Sequence, residues 1–121
     1  MIVCLTTAGT GDATLDERFG RAGAFVFVDT ENGASREIAN GYAGGASGVG
    51  AQVAQFIVNE GAEAVITGQV GPSAFRVLEA AAIPAYTTSA RTVSDALEEL
   101  RAGSLERAGA PTGPGHHGRR S

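Results

Sequence analysis

Between residues 49 and 101 the sequence alternates helix-period stretches with short apolar runs. That alternation restricts the chain to parallel strands joined by helical crossovers. Residues 49–60 put Val49, Val53, Phe56 and Ile57 on one helical face and stop at Gly61. Residues 64–67 form a short strand of the buried parallel type. Residues 72–82 read as a helix with Pro72 in its first turn and Ala74, Leu78 and Ala81 turned inward, ended by Pro84. A strand over 85–88 follows. The third helix, 92–101, opens on a Thr92/Asp95 capping-box pattern, carries the stripe Val93, Ala96, Leu97 and Leu100, and stops at Gly103.

The N-terminal part has a different period. Residues 2–7 read as a buried strand, and residues 24–30 as a second, apolar on both faces and therefore central. Asn32-Gly33 is a type I′ hairpin signal, and 35–40 is the return strand, with Arg36 and Glu37 suited to a sheet edge. The order β-β-β-α-β-α-β-α predicts an α/β fold with a five-stranded mixed sheet, because right-handed crossovers follow a hairpin. Residues 1–105 form the single domain. Residues 106–121 read as a disordered Gly/Pro/His/Arg tail, and the stretch beyond Ala108 is expected to be dispensable for folding, because it has no apolar periodicity with which to bury itself.

Strand parity decides which loops meet. If the first strand runs up, the second runs down and the third, fourth and fifth run up. The loops 8–23, 41–48, 68–71 and 89–91 then share the upper edge with all three helix N-termini. Ligands of α/β sheets favour the carboxyl ends of the strands, and helix N-termini supply free N–H donors and partial positive charge. Arg18, Arg21 and Arg91 fall in the same loops, so this edge suits an anionic ligand. Each feature also has a plainer reading. The glycines ease tight turns, arginines are solvated or paired with Asp16 and Glu17, Phe19 plugs the core, and Cys4 is a small buried hydrophobe. His116 and His117 are metal ligands or mere linker.

Composition removes whole classes of function. All nine basic residues are arginine, which excludes a Walker A loop and any Schiff-base lysine. A net charge of −4 without a basic stripe disfavours nucleic acid. No apolar run approaches the roughly 20 residues that span a bilayer, and no secretory leader is readable. One cysteine rules out an internal disulfide, so a cytoplasmic location is expected. The strands "IVCLTT" and "AVIT" lack the carboxylates of a two-metal nuclease. "GVGAQV" lacks the third glycine of a dinucleotide fingerprint, so no nucleotide is expected, and both histidines lie outside the core a serine hydrolase would need. The chain is not expected to be an enzyme.

The segments "LDERFGRA", "VDTENG", "GGASGVGAQVAQ" and "AVITGQVGPSAFRVLEAAAI" resemble, in order, the dinitrogenase iron-molybdenum cofactor biosynthesis family over residues 1–105. "RFGR" and "TGQVGPSAF" are the most specific parts. The resemblance implies a ribonuclease H-like sheet and binding of an anionic metal–sulfur cluster, iron-molybdenum cofactor-like or related, with cluster donor or acceptor proteins as partners. Together with the shared edge it points to Arg18, Arg21, Gly44, Gly45, Ser47, Gly48, Gly50, Thr67, Gly68, Gly71 and Ser73 as the binding residues. Direct metal ligands are not assigned. The expected function is a non-catalytic cluster carrier or chaperone; the alternative is a metal-free interaction or regulatory module.

Overall fold

The computed structural model describes residues 1–45 and 49–112. One mixed sheet runs in the order β3-β2-β1-β4-β5-β6. Its strands are β1 (Ile2–Thr7), β2 (Ala24–Asp29), β3 (Ser35–Ala39), β4 (Ala64–Thr67), β5 (Ala85–Thr87) and β6 (Glu106–Arg107). The helices are α1 (Val49–Asn59), α2 (Pro72–Ala80) and α3 (Val93–Ala102). β1 is central. It pairs antiparallel with β2, Ile2 opposite Asp29, and parallel with β4, Cys4 opposite Val65. β4 continues parallel into β5. The strand directions are those expected from parity.

Both faces of the sheet are covered, which explains the unbroken apolar runs of β1, β2 and β4. Cys4, Phe25, Phe27 and Val65 pack under α1 and α2 with Val53, Ile57, Ala74 and Leu78. The alternate residues Val3, Leu5, Val26, Val28, Ala64 and Ile66 lie on the other face with Ala96, Leu97 and Leu100 of α3. α3 begins as its sequence indicates, with the Thr92 side chain accepting the Asp95 N–H. It ends at Gly103, whose φ of 72° lets the Ser104 N–H return to the Glu99 carbonyl. α2 stops earlier than predicted. Ala82 takes φ 59° so that the Ile83 N–H reaches the Leu78 carbonyl, a left-handed stop made without glycine.

Three expectations are corrected. The sheet has six strands, not five. The sixth lies in residues assigned to the tail: Glu106 pairs with Thr87 and Arg107 with Tyr86, antiparallel. Leu105 packs into the α3-side core just before it. The described chain therefore continues past 105, and of the residues assigned to the tail 113–121, with His116 and His117, lie outside the described residues. Third, the β2–β3 hairpin is not a two-residue type I′ turn. The Asp29 N–H bonds the Ala34 carbonyl and the Gly33 N–H bonds the Asp29 carbonyl. Only Gly33, and not Asn32, has positive φ, whereas a type I′ turn needs it at both central residues.

The long connection between β1 and β2 is fastened at both ends and in the middle. The Gly23 N–H donates to Thr7 O where the loop rejoins the sheet. A side chain at Gly23 would collide with the Ala8 carbonyl, so the two ends of the loop can meet only through a glycine there. Phe19 is 3% exposed and belongs to the α1/α2-side core. Phe19→Ala is expected to cost about 3 kcal/mol in a denaturant titration, because a ring-sized cavity would open under the loop. A change below about 1 kcal/mol would show that the ring is not the anchor.

Candidate functional site

Three of the four upper-edge loops, 8–23, 68–71 and 89–91, are tied together through backbone. In the β1–β2 loop, the Asp16 N–H donates to Thr6 O and the Leu15 N–H to Arg91 O, each at 2.9 Å. The Val93 N–H donates to Ala13 O, and Thr14 bridges Thr92. Further along the same loop, Arg18 bridges Gln69 in parallel fashion, and the Gln69 N–H donates to Glu17 O at 2.8 Å. The β1–β2 loop thus lies as a rim across the carboxyl ends of β4 and β5.

A hydroxyl relay holds that rim down. Thr6 Oγ1 donates to Asp16 O at 2.7 Å and lies 2.8 Å from Thr67 Oγ1. Thr6 has one hydroxyl proton and it goes to Asp16, so Thr67 must donate to Thr6. Both threonines are fully buried. Thr67, a sequence candidate, is therefore a pillar beneath the rim rather than a surface contact. Gly68 has a similar task. A Cβ there would lie 2.5 Å from Glu17 Cβ and 2.6 Å from Glu17 Cα, so the close approach of rim and loop requires glycine.

The two arginines of "RFGR" are engaged within the protein. Arg18 grips Asp16 with two bonds, Nε to Oδ1 at 3.0 Å and Nη2 to Oδ2 at 2.8 Å, while its own N–H donates to Oδ1. Arg21 Nη1 donates to the carbonyls of Ala43 and Gly45, both at 2.6 Å. Asn40 reinforces this contact from the other side: its amide donates to Gly20 O and Ala22 O and its Oδ1 accepts the Tyr42 N–H. The glycine-rich segment is thereby clamped to the β1–β2 loop. Gly44 and Gly45 sit exposed in it. Gly50, in the first turn of α1, packs close to Ala74 of α2 and to Gly20. Ser47 and Gly48 lie outside the described residues.

On the open side, Gly71 is the N-cap of α2, with φ −75° and ψ 172° and no side-chain cap. Nothing lies within 4 Å of where its Cβ would be. Ser73 is exposed in the first turn. A cleft of about 440 Å³ on this edge is lined by Thr14, Leu15, Asp16, Glu17, Gly68, Ser89 and Arg91, among others, and does not include Gly71 or Ser73. Parity places residues 89–91, with Arg91, on this edge, although neither Ser89 nor Arg91 is among the binding residues named from the sequence. Among the described residues, no three His, Cys, Asp or Glu side chains are grouped to hold a metal ion. The Cys4 thiol lies inside the sheet, and burial pushes its pKa well above the ordinary thiol range, with Arg36 only partly opposing. It stays protonated and inert at neutral pH.

The Asp16 carboxyl titrates below its usual value: burial pushes it up, but the side-chain and backbone hydrogen bonds from Arg18 together outweigh that. A depressed folded pKa stabilises the protein above the unfolded value, about 3.9, and that stabilisation is lost as pH falls through the folded value. The stability advantage of the wild type over Asp16→Asn should therefore be full above about pH 5 and shrink below about pH 4. Thermal unfolding of both proteins across pH 3–7 checks this; a difference independent of pH would mean that the charge on Asp16 contributes nothing.

Comparison with known proteins gives the same arrangement a family. The chain superposes on the apo form of the orange protein from Desulfovibrio gigas with a TM-score of 0.88 and 35% identity, covering 93% of this chain and 96% of that one. A Thermotoga protein provisionally assigned as NifB matches with a TM-score of 0.76 and 33% identity, over 88% and 91% of the two chains. An uncharacterized protein of Methanocaldococcus jannaschii is 31% identical over 96 residues, 77% of this chain and 81% of its own. Residues 1–103 match the family model described as dinitrogenase iron-molybdenum cofactor, and the chain belongs to that family.

Proposed function

We propose that this protein is a non-catalytic carrier of an anionic metal–sulfur cluster, iron-molybdenum cofactor-like or related, held at the upper edge of the sheet. The observation that carries this reading is the cross-bridging of the upper-edge loops into one rim beside the uncapped start of α2. Such a rim offers an anion donors that are already in place, so little ordering accompanies binding. Family membership and the likeness to a protein known in an apo form support it. The strand order of the first five strands also accords with a ribonuclease H-like sheet. In this reading the cluster is cargo, exchanged with donor and acceptor proteins in the cytoplasm.

The donor set suits a preformed cluster held from outside its metal atoms. Arg91, Ser73, Ser89 and the first-turn N–H groups of α2 can hydrogen-bond cluster sulfurs, as protein donors do around iron–sulfur centres. One feature favours the alternative, a metal-free interaction module: Arg18 and Arg21 are already bonded to protein groups, which leaves less cationic surface for an anion.

Anaerobic reconstitution with ferrous iron, sulfide and molybdate, followed by desalting and metal analysis, separates the two. The carrier reading expects metal retained by the wild type and by Cys4→Ala, and much reduced by Arg91→Glu. Loss of metal in Cys4→Ala with retention in Arg91→Glu would replace the edge site with a thiolate site. No metal in any of the three would leave the interaction module.

A further inference from the structure

The family match ends at residue 103, but the described chain continues to residue 112 and reaches the candidate site. After β6 the Ala108 N–H donates to Ala85 O at 2.8 Å. The chain then turns back along α2, where Ala108 and Gly109 share a small cleft with Phe75, Leu78 and Pro84. It arrives at Val70, in the loop between β4 and α2. There the Thr112 N–H donates to Val70 O at 2.7 Å and Thr112 Oγ1 accepts the Val70 N–H at 2.9 Å.

This contact occupies a sensitive position. Val70 is fully buried, so its N–H needs an acceptor inside the protein. It lies just before α2, where a backbone N–H has no carbonyl one turn earlier to bond. Its neighbour Gln69 is held from the opposite direction by Glu17 O, and Gly71, the N-cap, follows directly. The loop 68–71 is thus gripped on one side by the rim and on the other by Thr112.

We infer that Thr112 is a positioning residue for the ligand-bearing loop: by holding both polar groups of Val70 it sets the direction in which the start of α2 faces the ligand. This rests on the reading of the upper edge as the binding site. The contribution comes from a segment that lies beyond the family model's match, which ends at residue 103. The hydroxyl is essential to it, because valine has the same shape and no acceptor. The Thr112 amide bond to Val70 O would survive that change, so the loop would loosen rather than detach.

Four forms of the chain test it: wild type, Thr112→Val, Thr112→Ser and a truncation after Thr112. Amide hydrogen exchange is followed at Gln69, Val70 and Gly71, and metal retention is measured after reconstitution with ferrous iron, sulfide and molybdate. In Thr112→Val, exchange at Val70 should accelerate about tenfold or more, the scale of one lost buried hydrogen bond, and retained metal should fall severalfold. The global unfolding midpoint should move little. Thr112→Ser should restore both readouts, and the truncation, which keeps Thr112, should match the wild type. Faster exchange with undiminished metal in Thr112→Val would overturn the positioning role and leave a packing contact only. Loss of metal in the truncation, with retention in Thr112→Val, would overturn it in favour of ligands beyond Thr112. Unchanged exchange in Thr112→Val would overturn the clamp itself. A wild type that retains no metal would sink the carrier reading, while the exchange comparison would still decide the clamp.

Discussion

The architecture of the upper edge depends on a short relay of hydroxyls, Thr67 to Thr6 to the carbonyl of Asp16. It ties the loop joining β1 to β2 to the carboxyl ends of β1 and β4 at Asp16, alongside the backbone bonds to Arg91, Val93 and Gln69 and the buried Phe19. A buried hydroxyl without a partner is costly, so two adjacent threonines at the ends of neighbouring strands must find an acceptor. The acceptor is the loop itself. Once Asp16 is fixed, Glu17 reaches Gln69, Leu15 reaches Arg91, and Phe19 falls into the α1/α2-side core. A polar requirement inside the sheet is thereby converted into the placement of a surface.

That surface uses its charge in an unexpected way. Arg18 and Arg21 look like ligand-binding cations in the sequence, but the structure employs both in construction. Arg18 forms a forked pair with Asp16, whose side chain is only 9% exposed, while Arg18 itself is 62% exposed. With its arginine open to solvent, such a pair contributes modestly to stability, commonly about 1 kcal/mol or less. Its geometric effect is larger, because it fixes the loop that carries Glu17. Arg21 clamps two carbonyls of the glycine-rich segment. In the proposed reading, the first turn of α2, Ser89 and Arg91 supply the donors for an anion, a set better matched to the sulfurs of a finished cluster than to bare metal.

Much of this was legible in the sequence, and for identifiable reasons. β1 and β4 have the limits their apolar runs indicate, because strands buried on both faces leave no polar break to blur them. Parity alone grouped the four loops, since it needs only strand count and helix position. β6 was missed because two exposed residues, Glu106 and Arg107, carry no periodicity. Their pairing depends on Leu105 finding the α3-side core, a tertiary fact. The hairpin turn was misjudged because Asn32-Gly33 admits a two-residue turn, whereas the β2–β3 register aligns Val28 with Ser35 and leaves a longer one. The roles of Thr67, Gly68 and Thr112 follow from contacts between segments far apart in the chain, which no local pattern encodes.

The central claim, that the bridged upper edge is where the cluster sits, is tested most directly by mapping backbone amide chemical shifts of the full chain before and after anaerobic reconstitution with ferrous iron, sulfide and molybdate. The account predicts that the largest changes fall on residues 68–73 and 89–91, with smaller ones on 14–18. Changes confined to the β2–β3 hairpin or to the groove between Met1 and Leu100, at the opposite end of the sheet, would contradict it.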